Sequence, residues 1–537
     1  MARSSKAMWL AGAGISAGIL LGIAVQPMIS GDSIYEQLEK FRDVLLTVQK
    51  NYVEEVDAPK LVESAIEGML NDLDPHSVYI PAAQQKKVEE DFKGSFDGIG
   101  VEFDLVRDTI TIVTAISGGP SEALGIQAGD KIVKIDGANA VGMKRDDVPN
   151  KLRGPKGSHV NVTIVRSGTD KPLQFDITRD KIPLYTVDAA FVAEDGTGYI
   201  AINRFAEPTY DEFMQNMARM KQQGMKRVIL DLRGNPGGYM DKAIRMADEF
   251  VSGGKKIVYT KNGRIPDQDE YYAESGQSYE DLPVIVLVNR GSASASEIVS
   301  GAIQDLDRGL IVGETSFGKG LVQRQFPLRD GSAFRVTIAR YYTPSGRLIQ
   351  RPYGKDRADY YKAAGKDGEE EGDNFEHSAD IPDSTRPVFH TAAGRKVLGG
   401  GGITPDYIVK SDTLTPFGVD VIRTNLIWDY TEELLQNQGP TLRRTYPKFS
   451  DFLNRYEIND KMWNDFMALA REKKLQMKDA DIAADREHIA LRIKARIARS
   501  LWGNSEFYQV VLQDDKQYQK ARSLFPEAAR IARLTMR

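Results

Sequence analysis

The 537-residue chain contains no cysteine. Disulfides, thiolate catalysis and every cysteine-bearing metal site are therefore excluded. It has no basic excess either: 71 Lys and Arg stand against 76 Asp and Glu, a net charge of −5. With no surplus of cations to neutralise phosphates, nucleic-acid binding is not its main task. Histidine is scarce and scattered (His76, His159, His377, His390, His488), and no His-Glu-x-x-His pair exists to hold a catalytic zinc. No metal or organic cofactor is expected. Internal repeats are missing too, apart from two similar strand–loop–helix passages.

What remains is the composition of an ordinary globular protein, 41% hydrophobic and 27% charged. Its length exceeds a single core of roughly 250–300 residues, so several domains are expected. Arg3 and Lys6 precede the uncharged run Ala7 to Val25, which contains "GISAGILLGIAV". Positive charge followed by an apolar run describes a secretory signal or a membrane anchor. The following "QPMIS" offers no small-x-small cleavage site. Residues 1–31 are thus expected to be an uncleaved anchor, with the body outside the cytoplasm. Over residues 32–93 the apolar positions fall at helical spacing: Ile34, Leu38, Phe41, Leu45, Val48 and Tyr52, then Leu61, Ala65, Met69 and Leu73. Asp74-Pro75 ends the second stripe. Such stripes pack against a body or a second subunit, so a homo-oligomer is compatible with them.

Residues 94–181 change character. "ITIVTAI", "KIVKIDG", "VNVTIVR" and "LQFDITR" alternate and are rich in β-branched residues, as the strands of a small sheet do. "GIGVEF" (98–103) opens the segment. The whole resembles a PDZ domain, in which a glycine-containing loop offers N–H groups to a peptide's terminal carboxylate while the peptide adds a strand. Gly98, Ile99, Gly100 and Val101 occupy that loop's place and are the candidate tail-binding residues. From 182 to 410 the grammar becomes strand, glycine loop, helix, strand: "RVILDL" then "RGNPGG", and "LPVIVLV" then "NRGSASAS". That is the pattern of a mostly parallel sheet, which binds ligands beyond the carboxyl ends of its strands. Residues 351–401, with "KDGEEEGD" and "GGGG", read as an inserted surface loop. Residues 411–537 read as helices that cap the core or mediate assembly.

"GETSFGKG" (313–320) nearly spells a phosphate-binding loop, but that motif needs Ser or Thr after the lysine and a helix beyond it. Here Gly320 follows Lys319 and "LVQRQFPL" alternates like a strand. On a strand Lys319, Leu321, Gln323 and Gln325 share one face, with Val322, Phe326 and Leu328 towards the core. Gln323 can then hold the Lys319 amine without neutralising it. "GSASASE" (291–297) sets three serines among small residues at a strand-to-helix junction. Ser294 with Glu297 also fits a Ser-x-x-Glu capping box, the commoner meaning of that pair taken alone. The two roles are compatible. His76 reads as structural, and Asp231 with Arg233 as a structural pair.

Taken together, "GMLNDLDPHSVYI", the PDZ-like segment, "LDLRGNPGG", "GSASASE", "SFGKGLVQ", "YYTPSGRLIQ" and "GITPDYIV" resemble, in this order, the carboxy-terminal processing peptidases. These are secreted or membrane-anchored serine endopeptidases with a Ser-Lys dyad. The resemblance implies Ser294 as nucleophile, Lys319 (25 residues on) as general base, Gln323 as its orienting partner, and the N–H groups of Gly237 and Ala295 as oxyanion hole. Ser292 and Ser296 become loop and helix residues. The implied fold is α/β and multidomain: N-terminal helices, a β-rich PDZ domain, a mostly parallel peptidase core and a helical C-terminal region. The implied partners are proteins with free C-terminal tails. The insertion 351–401 and the helical tail depart from the family pattern. A non-catalytic, membrane-anchored scaffold that binds tails is the alternative.

Overall fold

The structure, a computed structural model, describes residues 34–534 apart from 167, 264–267, 355–356, 364–371 and 376–385. The anchor expected over 1–31 and most of the acidic run 366–373 lie outside the described residues. Among the described residues no helix is long and apolar enough to cross a membrane. The chain divides after Leu73 into two compact units.

The first unit holds α1 (Ile34–Asn51) and α2 (Ala58–Asn71). Asp57 caps α2 by accepting the Lys60 N–H at 3.1 Å, and Pro59 sits in the first turn, where its missing N–H costs nothing. No residue of α1 is buried, and Ile34, Leu38 and Phe41 of its stripe are exposed.

In the second unit the PDZ-like segment forms β1 (Val101–Val106), β2 (Thr109–Ala115), β3 (Lys131–Ile135), β4 (His159–Val165) and β5 (Leu173–Thr178). They pair antiparallel in that order, with β1 at the edge. Alternate residues such as Ile110, Ile112, Val160, Val162 and Ile164 point inward and meet Val148 and Leu152 of α3 (Asp147–Leu152).

The larger sheet contains β6 (Val187–Val192), β7 (Thr197–Ile202), β8 (Arg227–Asp231), β9 (Val284–Val288) and β10 (Gly309–Gly313). Beyond β10 come two short strands, β13 (Gly372–Asp373) and β14 (Tyr407–Ile408). The order is β6-β7-β8-β9-β10-β14-β13, parallel from β7 to β14. Because the central strands are covered on both faces, they read as unbroken apolar runs. One face carries Ile200, Leu230, Val286 and Ile311 against α4 (Thr209–Gln222), α5 (Met240–Asp248) and α6 (Ala295–Asp305). The opposite face carries Tyr199, Ile229, Leu287 and Val312 against Tyr518 of α8 (Lys516–Ser523) and Phe525 and Ala528 of α9 (Phe525–Ile531). The last helices therefore cap the core. The preceding helices, between Pro416 and Val511, enclose a core of their own around Phe452, Phe466 and Ile493.

After β10 the chain runs through 314–320 into β11 (Leu321–Pro327), which pairs with β12 (Ala333–Tyr342). A strand, not a helix, follows Gly320, as the sequence predicts. The expected alternation does not survive intact. The pairing with β12 shifts register between Val322 and Gln323, Leu321 is buried, and Leu328, just past the strand, is exposed.

Candidate active site

The loops after β8 and β9 are stitched together by short polar side chains. Ser292 Oγ donates to Leu232 O at 2.8 Å, and Ser296 Oγ to Asn235 O at 2.9 Å. The Ala293 N–H reaches Asn235 O at 3.0 Å. Ser292 and Ser296 are thus spent on the loop and on the helix start. Between them Ser294 stands at φ 56°, a left-handed conformation that is rare for a residue with a Cβ and costs roughly 1–3 kcal/mol. Immediately after it α6 begins, with Glu297 accepting the Ser294 N–H at 2.7 Å as the capping box requires. The strain lifts Ser294 to the wall of a cavity of about 800 Å³, shared with Gly237, Tyr239, Lys319, Gln323, Arg335 and Tyr341. Gly237 is glycine for a reason visible here: an added Cβ would lie 2.8 Å from Ser294 Cβ and 2.7 Å from Ala293 O.

Lys319 Nζ donates to Gln323 Oε1 at 2.8 Å, and Gln323 Nε2 donates to the His76 carbonyl at 2.6 Å. The second bond decides which end of the amide faces the lysine. Among the described residues Gln323 is the one hydrogen-bond partner of the Lys319 amine, and no carboxylate lies within ion-pair distance of it. Burial first, and then the Arg335 guanidinium, bring its pKa down to about 8, against the smaller opposing pulls of Glu297 and Asp74. No hydrogen bond joins Lys319 Nζ to Ser294 Oγ among the described residues. The amine rests on Gln323 in the cavity that the serine also lines.

Two buried side chains clasp the backbones of both residues. Glu297 Oε2 accepts the N–H of Ser294 at 2.7 Å and that of Lys319 at 2.9 Å. Its Oε1 accepts the Gly318 N–H at 2.7 Å and Ser316 Oγ at 2.5 Å. Burial raises the Glu297 pKa. Four donors converging on two oxygens nevertheless suit a carboxylate. On the other side, the Tyr341 hydroxyl lies 3.0 Å from Ser294 O and 2.5 Å from Lys319 O. Neither clasp was legible in sequence beyond the capping spacing of Ser294 and Glu297.

The predicted oxyanion donors differ from one another. Ala295 opens α6 with an N–H that has no partner among the described residues, at the helix end that favours negative charge. The Gly237 N–H donates to Asn235 Oδ1 at 2.9 Å, so in this state it is occupied within its own turn. The adjacent Gly238 N–H has no partner among the described residues. Asp231 and Arg233 do not reach the cavity wall. Arg233 pairs with Asp231 at 2.6 Å and with Asp515 at 2.7 Å. His76 is buried between Phe317, Tyr360 and Tyr361. The Gly98–Val101 stretch lies elsewhere, at the start of the PDZ-like sheet. There the carbonyls of Ile99 and Gly100 accept from Ser121 and Ile116, while their N–H groups have no partner among the described residues.

Four family profiles match successive parts of the chain. The profile of peptidase family S41 matches residues 196–356, and that of the PDZ domain residues 111–166. The activating protease CtpB N-terminal domain matches 24–83, and a family of unknown function matches 419–503. The carboxy-terminal-processing protease of Bartonella bacilliformis is 39% identical over 346 residues, 64% of this chain and 79% of that one. The carboxy-terminal processing protease CtpB of Bacillus subtilis is 36% identical, over 65% of this chain and 74% of its own. Among solved structures, a photosystem II D1 C-terminal processing protease shares 29% identity over 61% of this chain and 97% of its own, with a TM-score of 0.33.

Proposed function

The chain belongs to the carboxy-terminal processing proteases, within peptidase family S41 and with a PDZ domain, and on that premise we propose that Ser294 and Lys319 are the nucleophile and general base of a serine endopeptidase that cuts protein substrates near their free C-termini. The observation that carries this reading is a half-buried lysine whose amine, among the described residues, is held by a neutral amide alone, in the same cavity as a strained serine at a helix N-terminus.

An ordinary lysine, with a pKa near 10.4, is almost wholly charged at pH 7 and cannot act as a base. With its pKa at about 8, Lys319 has an appreciable uncharged fraction near neutrality. In the reaction the amine turns from Gln323 towards Ser294 and takes the Oγ proton as Oγ bonds to the scissile carbonyl carbon. The tetrahedral oxyanion is held by the Ala295 N–H and by the Gly237–Gly238 turn. Gly238 offers a free donor there, and Gly237 contributes once it leaves Asn235. Each such donor contributes about 3 kcal/mol where one has been removed from comparable sites. Lys319 then returns the proton to the leaving amine as the C–N bond breaks. Water repeats the sequence on the acyl-enzyme, releasing the new carboxyl terminus and restoring the serine. Glu297 and Tyr341 fix the backbones of Ser294 and Lys319, so the proton transfer itself requires only the lysine side chain to move.

The PDZ domain supplies the tail-binding end. Unpartnered N–H groups at Ile99 and Gly100, beside the edge strand β1, suit a terminal carboxylate followed by an added strand. The test uses an unfolded substrate carrying a free tail. Ser294→Ala should abolish its cleavage and leave its binding intact. Equal cleavage by both proteins would remove the dyad, and lost binding with retained cleavage would remove the tail-binding role.

A further inference from the structure

The segment 351–401, read from the sequence as an insertion, carries a helix, α7 (Arg357–Ala363), that reaches the lysine's support. The Gly320 N–H, next to Lys319, donates to Gln350 Oε1 at 2.9 Å. That bond turns the Gln350 amide nitrogen towards Arg351 O at 2.9 Å and the Tyr360 hydroxyl at 3.1 Å. The Tyr360 oxygen therefore accepts from Gln350, and its own proton is free to go to His76 Nε2, 2.9 Å away. His76 must then be neutral with its proton on Nδ1. Burial and the nearby Lys319 charge, which hold its pKa down to about 4, agree with that.

The carbonyl of the same His76 receives Gln323 Nε2 at 2.6 Å and so aims Gln323 Oε1 at Lys319. The adjoining turn is pinned as well. Asp74 accepts the N–H groups of His76 and Ser77 at 2.8 and 2.9 Å, and the Tyr361 hydroxyl donates to Pro75 O at 3.2 Å. His76 and Tyr360 are both buried, at 7% and 3% exposure, so neither bond is exchanged freely for water.

We propose that Tyr360, supplied by the insertion, is a positioning residue for Lys319, acting through His76 and Gln323 on one side and through Gln350 and Gly320 on the other. The proposal rests on the Ser-Lys reading above. It gives the insertion a role in the peptidase itself: α7 holds the lysine's amide partner in the orientation that leaves the amine uncompensated.

A double-mutant cycle on the full chain tests this, with an unfolded tailed substrate and with Ser294→Ala and Lys319→Ala run alongside. Tyr360→Phe keeps the ring that packs on His76 and removes only the hydroxyl. It should lower kcat roughly tenfold, about what one buried hydrogen bond amounts to in a rate, with KM unchanged. On a Gln323→Ala background the same change should cost clearly less than in the wild type, because only the route through Gln350 and Gly320 remains. His76→Phe, which keeps the backbone carbonyl and an aromatic ring but loses Nε2, should behave likewise and serves as the second probe should Tyr360→Phe fold poorly. Unchanged kcat in both single variants would overturn the proposal, as would losses that multiply with that of Gln323→Ala. Activity surviving in Ser294→Ala would instead overturn the dyad on which it rests.

Discussion

Two clusters of charged and polar residues sit beyond the carboxyl ends of β8 and β10, two strands of the parallel sheet, and they are built on opposite plans. After β8, Asp231 and Arg233 neutralise each other. Arg233 also binds Asp515 and Gln517 of the C-terminal region, while the Tyr199 hydroxyl donates to Asp231 at 2.7 Å. Each charged group there has an ionic partner, with Arg233 shared by two carboxylates, and the arrangement joins the C-terminal region to the sheet. After β10, Lys319 is half-buried like Arg233 but is given an amide instead of a carboxylate, and its charged neighbours include another cation, Arg335. The carboxylate that could have paired with it, Glu297, is turned to four other donors. A buried cation that is compensated holds the fold together. One that is left uncompensated gives up its proton readily, and that makes it a base.

The largest effect separating the two clusters should come from Lys319→Ala. Turnover should fall by on the order of 10³-fold or more, as when one member of a catalytic unit is lost, while the thermal midpoint stays level or rises because a dry ammonium is gone. Glu297→Gln should come next. Its amide presents an NH₂ where two N–H groups already point, so either the Ser294 and Lys319 side or the Gly318 side of the clasp must open. A fall in kcat of about 100-fold, with a loss of about 2–3 kcal/mol in urea unfolding, is expected.

The opposite cluster should respond in the opposite sense. Arg233→Met should cost about 3 kcal/mol of stability by leaving Asp231 unpaired, with kcat per folded molecule unchanged. A large drop in kcat there would erase the distinction between the clusters. The smallest effect is reserved for Arg335→Gln. Because Arg335 helps depress the lysine, its removal should move the ascending limb of the pH–rate profile upward by less than about one unit and lower the pH 7 rate a few-fold.

Much of this was legible in sequence, and what was missed has a common cause. Strands buried on both faces leave continuous runs such as "VIVLV", and glycine loops punctuate them, so the parallel sheet could be read directly. Ser294, Lys319 and Gln323 came from motif resemblance. The Lys319–Gln323 contact came from strand spacing, although Lys319 stands just before β11 rather than on it. The partners that fix the site in place lie far along the chain: Glu297 is 22 residues from Lys319, Tyr341 is 47 from Ser294, and Tyr360 is 284 from His76. Contacts of that range leave no periodic trace in the residues between them. For the C-terminal region, dense in both charge signs, the sequence left capping of the core and assembly as alternatives, and the last helices cap the core.

The central claim is that Lys319 works uncharged, and the pH dependence of kcat/KM on a substrate without titrating groups tests it most directly. Since the uncharged amine is the active form, the rate should rise with pH and level off through a midpoint at about 8. A midpoint near the ordinary lysine value of about 10.4, or a rate flat from pH 6 to 10, would contradict it.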